Sequence, residues 1–164
     1  MIVKKPLLMV DIDGVVSIFG FTQAQRPSGQ FLTVDGIVHF LSAEAASNLL
    51  ELAADFELWW CSGWEEKAND YLPRLLGLPG PLPFVSFDGV PGRDGSHWKL
   101  AAIDAAVPHQ RPLAWLDDQL DESCAAWAKA RPADTLLVMT DPAVGLVAEQ
   151  AKQLRAWART QASR

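Results

Sequence analysis

The sequence is poor in cysteine, in net positive charge and in long apolar runs, and each shortage closes off a class of protein. Its two cysteines, Cys61 and Cys124, both lie in apolar surroundings. They read as reduced thiols of a cytosolic protein, with a single disulfide as the alternative. Acidic residues outnumber basic ones, for a formal net charge of -6. That argues against an extended grip on a nucleic-acid backbone while leaving room for a local basic pocket. No segment approaches the roughly twenty apolar residues of a membrane span. The start, Met1 to Pro6, has charges but no stretch long enough for a signal peptide before Asp11 intervenes. A cytoplasmic location is therefore expected, without membrane contact. Internal repeats, low-complexity segments and domain boundaries are also missing, so residues 1–164 should form one domain.

What is present is a chain of 164 residues, 49% hydrophobic, long enough for one well-filled core. Its organising stretch is Leu7-Leu8-Met9-Val10-Asp11-Ile12-Asp13-Gly14-Val15-Val16. The apolar run reads as a strand buried on both faces, and such strands eject polar groups at their carboxyl end, where open parallel sheets bind ligands. Alternation points Asp11 and Asp13 to one side. Two anions so close call for a hard divalent cation such as Mg2+. Asp11 becomes a candidate nucleophile and Asp13 a candidate proton donor. The competing reading is a solvated Asp-x-Asp-Gly turn that merely closes the strand.

Further along, 17–30 is rich in turn formers and reads as a hairpin or flap beside Asp13, followed by short strands at 31–34 and 37–41. Ser42 should cap a helix with an apolar stripe through Ala46, Leu49, Leu50 and Ala53. Strands are expected at 56–61, 84–87, 113–116 and 135–139. Helices are expected at 65–76, where Pro73 should kink or end the helix, at 96–106 behind a Ser96 cap, at 121–130 and at 145–159. A glycine-bearing loop spans 88–95. Alternation of strand and helix predicts a three-layer α/β sandwich around a five-stranded parallel sheet of Rossmann-like type, with a β-hairpin flap after the first strand and no large cap.

Polar groups should gather at one sheet edge: Asp11 with Asp13, Ser62 with Gly63, Lys99, and Asp117 with Asp118. Phosphoryl transfer needs such a set, because the task is to position a highly charged transition state and cancel its charge. Asp117 would supply a further carboxylate for Mg2+, and Ser62 on a strand-to-helix turn with Gly63 would hold phosphate oxygens. Lys99, placed in a first helical turn where the dipole disfavours a cation, makes sense if an anion joins it. Singly, Ser62 and Asp117-Asp118 are also good helix caps and Lys99 an ordinary exposed lysine.

These residues resemble the haloacid dehalogenase-like (HAD) hydrolases. Asp11-Ile12-Asp13-Gly14-Val15-Val16 looks like the first family motif, the strand into Ser62 like the second, Lys99 like the third and Leu116-Asp117-Asp118 like the fourth. The resemblance implies Mg2+ held by Asp11, the backbone carbonyl of Asp13 and the carboxylate of Asp117. It puts Ser62 and Lys99 on phosphate, and Asp118 either outside the ion's direct ligands or against Lys99. Asp at position 13 favours phosphoester hydrolysis over carbon-halogen cleavage. Trp60-Cys61-Ser62-Gly63-Trp64 and Thr140-Asp141-Pro142-Ala143-Val144-Gly145-Leu146 are similar to phosphatase-like domains of multi-part RNA repair proteins. The expected function is a Mg2+-dependent phosphomonoesterase with an aspartyl-phosphate intermediate, acting on a phosphorylated small molecule or a nucleic-acid end under a roof of 17–34 alone. Trp64 and Trp98 either stack on a base there or pack as wall. A non-turnover phosphate-binding protein or a receiver-like phospho-accepting module is the alternative. A cysteine phosphatase would need an arginine six residues after Cys61, where Lys67 stands.

Overall fold

The computed structural model describes residues 4–90 and 95–163, so Met1–Val3 and 91–94 of the expected glycine-bearing loop lie outside the described residues. The apolar run forms β1 (Leu7–Val10), whose four side chains are all fully buried. Strand alternation splits them between two cores. Leu8 and Val10 join Leu49, Leu58, Trp60, Leu116 and Leu154, whereas Leu7 and Met9 join Leu100, Ile103, Leu113, Trp115 and Cys124. Helices therefore cover both faces: α1 (Ala43–Leu52), α2 (Ala68–Leu76) and α5 (Ala148–Ala162) on one, α3 (Leu100–Ala106) and α4 (Glu122–Ala130) on the other.

With β1 the sheet comprises β4 (Glu57–Trp60), β5 (Leu113–Asp117) and β6 (Thr135–Met139), all parallel, in the order β4-β1-β5-β6. The α/β sandwich is as expected, but the ladder has four strands. The segment at 84–87 joins the β4 edge through a single bridge, Phe84 to Trp60. Pro81 and Pro83 carry no N–H to donate, and the Phe87 N–H is taken by Glu65 Oε1 at 2.7 Å, which leaves little ladder to extend.

Residues 17–28 form no hairpin of their own, and the short strands expected at 31–34 and 37–41 pair as the hairpin after β1. It consists of β2 (Gly29–Val34) and β3 (Ile37–Ser42), antiparallel, joined by Asp35-Gly36 with φ of 50° and 80°. That two-residue turn with both φ positive matches the twist of a hairpin. Residues 17–28 form a loop with one 3-10 turn at Gln23–Gln25.

Ser42 caps α1 as expected, accepting from Ala45 N at 3.2 Å, whereas α4 is capped by Asp121, which accepts from Cys124 N at 3.1 Å, and not by Asp117-Asp118. Pro73 sits inside α2 without ending it, and the helix stops at Gly77, φ 74°. The Ser96 cap is corrected. A turn closes from Leu100 N to His97 O, α3 begins at Leu100, and Lys99 itself occupies the N-cap position. The closing helix runs 148–162 because Asp141–Gly145 forms a tight turn, with Gly145 N donating to Asp141 O at 2.7 Å.

That turn belongs to the 140–146 stretch, which works as a clamp on the loop after β1. Thr140 Oγ1 donates to Gly14 O at 2.7 Å, Phe19 N to Pro142 O at 2.9 Å, and Leu146 N to Val15 O at 3.0 Å.

Candidate active site

The register of the two central strands decides where the acids go. Val10 pairs with Leu116, and Asp11 N donates to Leu116 O at 2.9 Å, so the next residues on each strand, Asp11 and Asp117, stand side by side at a strand spacing of about 4.8 Å. On the other side Val10 pairs with Trp60, which brings Cys61 and then Ser62 to the same edge. This edge is where the chain order reverses, because β4 lies on one side of β1 and β5 and β6 on the other.

Lys99 arrives from the start of α3 and is 3% exposed. Its ammonium donates to Asp117 Oδ2 at 2.7 Å and Cys61 O at 2.8 Å, and lies 3.0 Å from Asp11 Oδ1. Three donors thus meet three acceptors, with Asp118 not among them. Burial opposes the ammonium, yet the carboxylates of Asp11 and Asp117 outweigh it and hold Lys99 above its ordinary pKa. His97 supports the turn by accepting from Lys99 N through Nδ1 at 3.2 Å.

Asp11, Asp117 and Asp118 each direct a carboxylate oxygen to within 4.8 Å of the others. Burial pushes Asp11 up to about 8, with Lys99 opposing and Asp117 adding to the rise. Burial, then the charge of Asp117, also raises Asp118. Three carboxylates against the ammonium of Lys99 leave excess negative charge, and the donor set is all hard oxygen. Both facts fit a divalent cation such as Mg2+. Asp118 therefore stands with the other two acids as a potential direct ligand. The Asp13 carboxylate is not part of that trio.

Asp13 instead faces the hairpin, with its side chain 46% exposed. Its Oδ2 accepts from Trp64 Nε1 at 2.9 Å, and its Oδ1 lies 3.3 Å from His39 Nδ1, which is also 3.2 Å from Ser17 Oγ. Sequence reasoning missed His39. The one available signal was its alternation with Ile37 on a strand adjoining an Asp-Gly turn. Trp64 is half-buried wall, whereas Trp98 is exposed at the mouth. Ser62 is 2% exposed, its Oγ accepting from Trp64 N at 3.3 Å. Asp11, Asp13, Ser62, Gly63, Lys99, Asp117 and Asp118 line one pocket of about 280 Å3, with exposed Phe19 and Trp98 on its rim. Burial drives the Cys61 thiol strongly up and Cys124 up to about 11, so neither is a ready thiolate nucleophile.

Gly14 is required here. Its φ is +85°, and a Cβ on it would meet the Asp118 carboxylate at 2.4 Å. Gly14→Ala is expected to cost about 1–3 kcal/mol from backbone strain and to displace Asp118. Urea unfolding with and without Mg2+ checks both effects, since the stabilisation gained from the ion should shrink in the variant.

Where the register delivers the acids defines the class: this is a Rossmann-like α/β domain of the HAD type. Among models of known families, the one described as the HAD domain in Swiss Army Knife RNA repair proteins matches residues 7–151, and the chain belongs to that family. No curated protein matches the chain at a significant level. Among the described residues, no helix is long and apolar enough to cross a membrane.

Proposed function

We propose that this chain is a Mg2+-dependent phosphomonoesterase that works through an aspartyl-phosphate on Asp11. The observation that carries the reading is the trio Asp11, Asp117 and Asp118 at the open end of the central strands, with Lys99 bonded between two of them. Bound Mg2+ would be held by Asp11, Asp117, Asp118 and the backbone carbonyl of Asp13, and would polarise a phosphoryl oxygen while cancelling charge.

The chain's own groups carry the rest. An anionic oxygen of Asp11 attacks phosphorus as the bond to the ester oxygen breaks, and Asp13 gives that oxygen its proton, so an alcohol leaves. Asp13, now a carboxylate, takes a proton from water. The water oxygen attacks phosphorus, the bond to Asp11 breaks, and inorganic phosphate departs with Asp13 reprotonated. Burial holds the Asp11 carboxyl up at about 8 even with Lys99 beside it, and a bound divalent cation would draw it further toward the anion. The ammonium of Lys99 favours the charged, nucleophilic form. Ser62 Oγ and the Gly63 backbone would hold phosphate oxygens, with Lys99 adding its charge.

Membership in a family described from RNA repair proteins supports a phosphorylated nucleic-acid end as substrate, and the open rim with Phe19 and Trp98 suits a phosphate on something large. End recognition needs few phosphate contacts, which is compatible with an acidic protein.

The test is a panel of phosphate esters, including 3′- and 5′-phosphorylated oligonucleotides, nucleotides and sugar phosphates, with and without Mg2+. Repeated, Mg2+-dependent phosphate release is the expected result. One lasting equivalent of phosphorylation, or none, would contradict it.

Trp64 acts on this scheme as a positioning residue. Trp64→Phe keeps a ring against His39 but removes the N–H on Asp13. Hydrogen bonds to charged groups are worth about 1.5–3 kcal/mol, so kcat should fall roughly 10- to 100-fold, with KM little changed for an ester whose alcohol carries no ring. Steady-state kinetics separates the two constants.

A further inference from the structure

Beside the acid pocket lies a second groove, of about 260 Å3, between the β2–β3 hairpin and the turn from Gly63 to Lys67. Asp13 and Gly63 line both spaces. A Cβ at Gly63 would meet nothing within 4 Å, so bare backbone marks the passage between them.

The walls of the groove are unlike those of the acid pocket. Val34 and Ile37 stand directly opposite each other in the hairpin, and His39 shares their face by strand alternation. Facing them is the indole of Trp64, which meets the His39 ring edge-on at 4.7 Å. Ile37 is 62% exposed, an apolar side chain left open to solvent at the edge of a polar site. At the rim the Lys67 ammonium pairs with the Asp35 carboxylate, placing one donor and one acceptor side by side.

The position of Asp13 says which part of a substrate would enter. A group that protonates the leaving oxygen must reach it, so the departing alcohol lies on the Asp13 side of phosphorus. Trp64 and His39 hold both Asp13 oxygens on the border of the groove. We propose that this groove is the leaving-group site and that it selects an alcohol bearing one flat heteroaromatic ring, the size of a single nucleoside. The inference rests on the phosphomonoesterase reading above. A flat ring covers Ile37 and Val34 and packs on Trp64 and His39, and its edge meets the Lys67–Asp35 pair. A sugar or polyol has no apolar face to offer these walls. The groove's volume of about 260 Å3 falls just below the roughly 300–1,000 Å3 of drug-sized ligand sites, which suits one ring system next to the phosphate.

Adenosine 5′-monophosphate and ribose 5-phosphate test this directly, because they share the same leaving primary oxygen and differ in the base. Stacking gains predict that kcat/KM favours the nucleotide by about 10- to 100-fold. Ile37→Ala and Lys67→Ala, both at exposed side chains, should each reduce that ratio. In parallel, adenosine alone should shift the Trp64 indole N–H and Ile37 amide resonances, and ribose alone should not. Equal phosphate release from the two esters, with no shift from adenosine, would overturn the groove assignment and leave the phosphomonoesterase reading standing. Shifts from adenosine with no phosphate released from any ester would overturn the catalytic reading, and the leaving-group role with it.

Discussion

Asp11→Asn should lower phosphate release by at least about 10^4-fold, equivalent to roughly 5 kcal/mol of barrier, because an amide has no anionic oxygen with which to attack phosphorus. The fold should survive. The Asn carbonyl can still accept from Ile12 N, as Asp11 Oδ1 does at 2.8 Å, and from Lys99. The same substitution has an opposite effect on stability. Burial raises the Asp11 carboxyl from 3.8 to about 8, so between these values the folded chain binds a proton that the unfolded chain has released. A raised carboxyl costs the folded state stability above the unfolded pKa, and the cost grows until pH passes the folded value. Without divalent ions, Asp11→Asn should therefore become progressively more stable relative to the wild type as pH rises from about 4 to about 8, and level off above. Added Mg2+ should narrow the gap by binding only the wild-type trio well. Urea unfolding across that pH range measures it. A variant less stable than wild type at pH 8 without Mg2+ would show that Asp11 is not held against its charge.

Lys99→Ala should be the most destabilising single change at the site. It leaves Asp11 and Asp117 buried without their shared ammonium and Cys61 O without its donor. Breaking a buried pair by removing one partner costs about 3–5 kcal/mol. The Lys99 pKa is raised in the folded state, so its contribution is fully present below the unfolded value and is lost only as pH climbs through the folded one. At neutral pH the loss is thus undiminished on the lysine side. Divalent ions should restore part of the stability by replacing the missing charge, while phosphate turnover stays impaired. Chemical denaturation with and without Mg2+ gives both numbers. A loss below 1 kcal/mol would mean that the two carboxylates do not depend on Lys99.

Much of the edge could be read from residue order. An apolar run into Asp11-Ile12-Asp13-Gly14, and another into Asp117-Asp118, have few structural meanings other than buried strands ending in acids. The register that sets Asp11 beside Asp117 follows once both strands are central. What could not be read depended on side chains that meet across long separations. Asp13 takes its partners from Trp64, and from His39 on the second of the short strands expected at 31–34 and 37–41, whose pairing brings that ring to Asp13. Lys99 was drawn to a helix start, but at the wrong cap, since a turn closing on His97 precedes the helix proper. The segment at 84–87 makes one bridge and no ladder, because Pro81 and Pro83 precede it without N–H donors and Glu65 takes the Phe87 N–H. Asp118 was expected either outside the ion's direct ligands or against Lys99, and its place beside Asp11 and Asp117 could not be read from its position alone. Its contact with the other acids depends on Gly14, whose backbone leaves room for the carboxylate. The 140–146 stretch pointed to kinship by its pattern, yet its physical work is to clamp the loop that carries Asp13.

The most direct measurement is to quench the enzyme with borohydride during turnover of a phosphate ester in Mg2+ and to sequence it by mass spectrometry. An acyl phosphate is reduced to the alcohol, so homoserine should appear at position 11, and not when Mg2+ is omitted. Homoserine at another acid, or an unmodified Asp11 in an enzyme that is demonstrably turning over, would contradict the account.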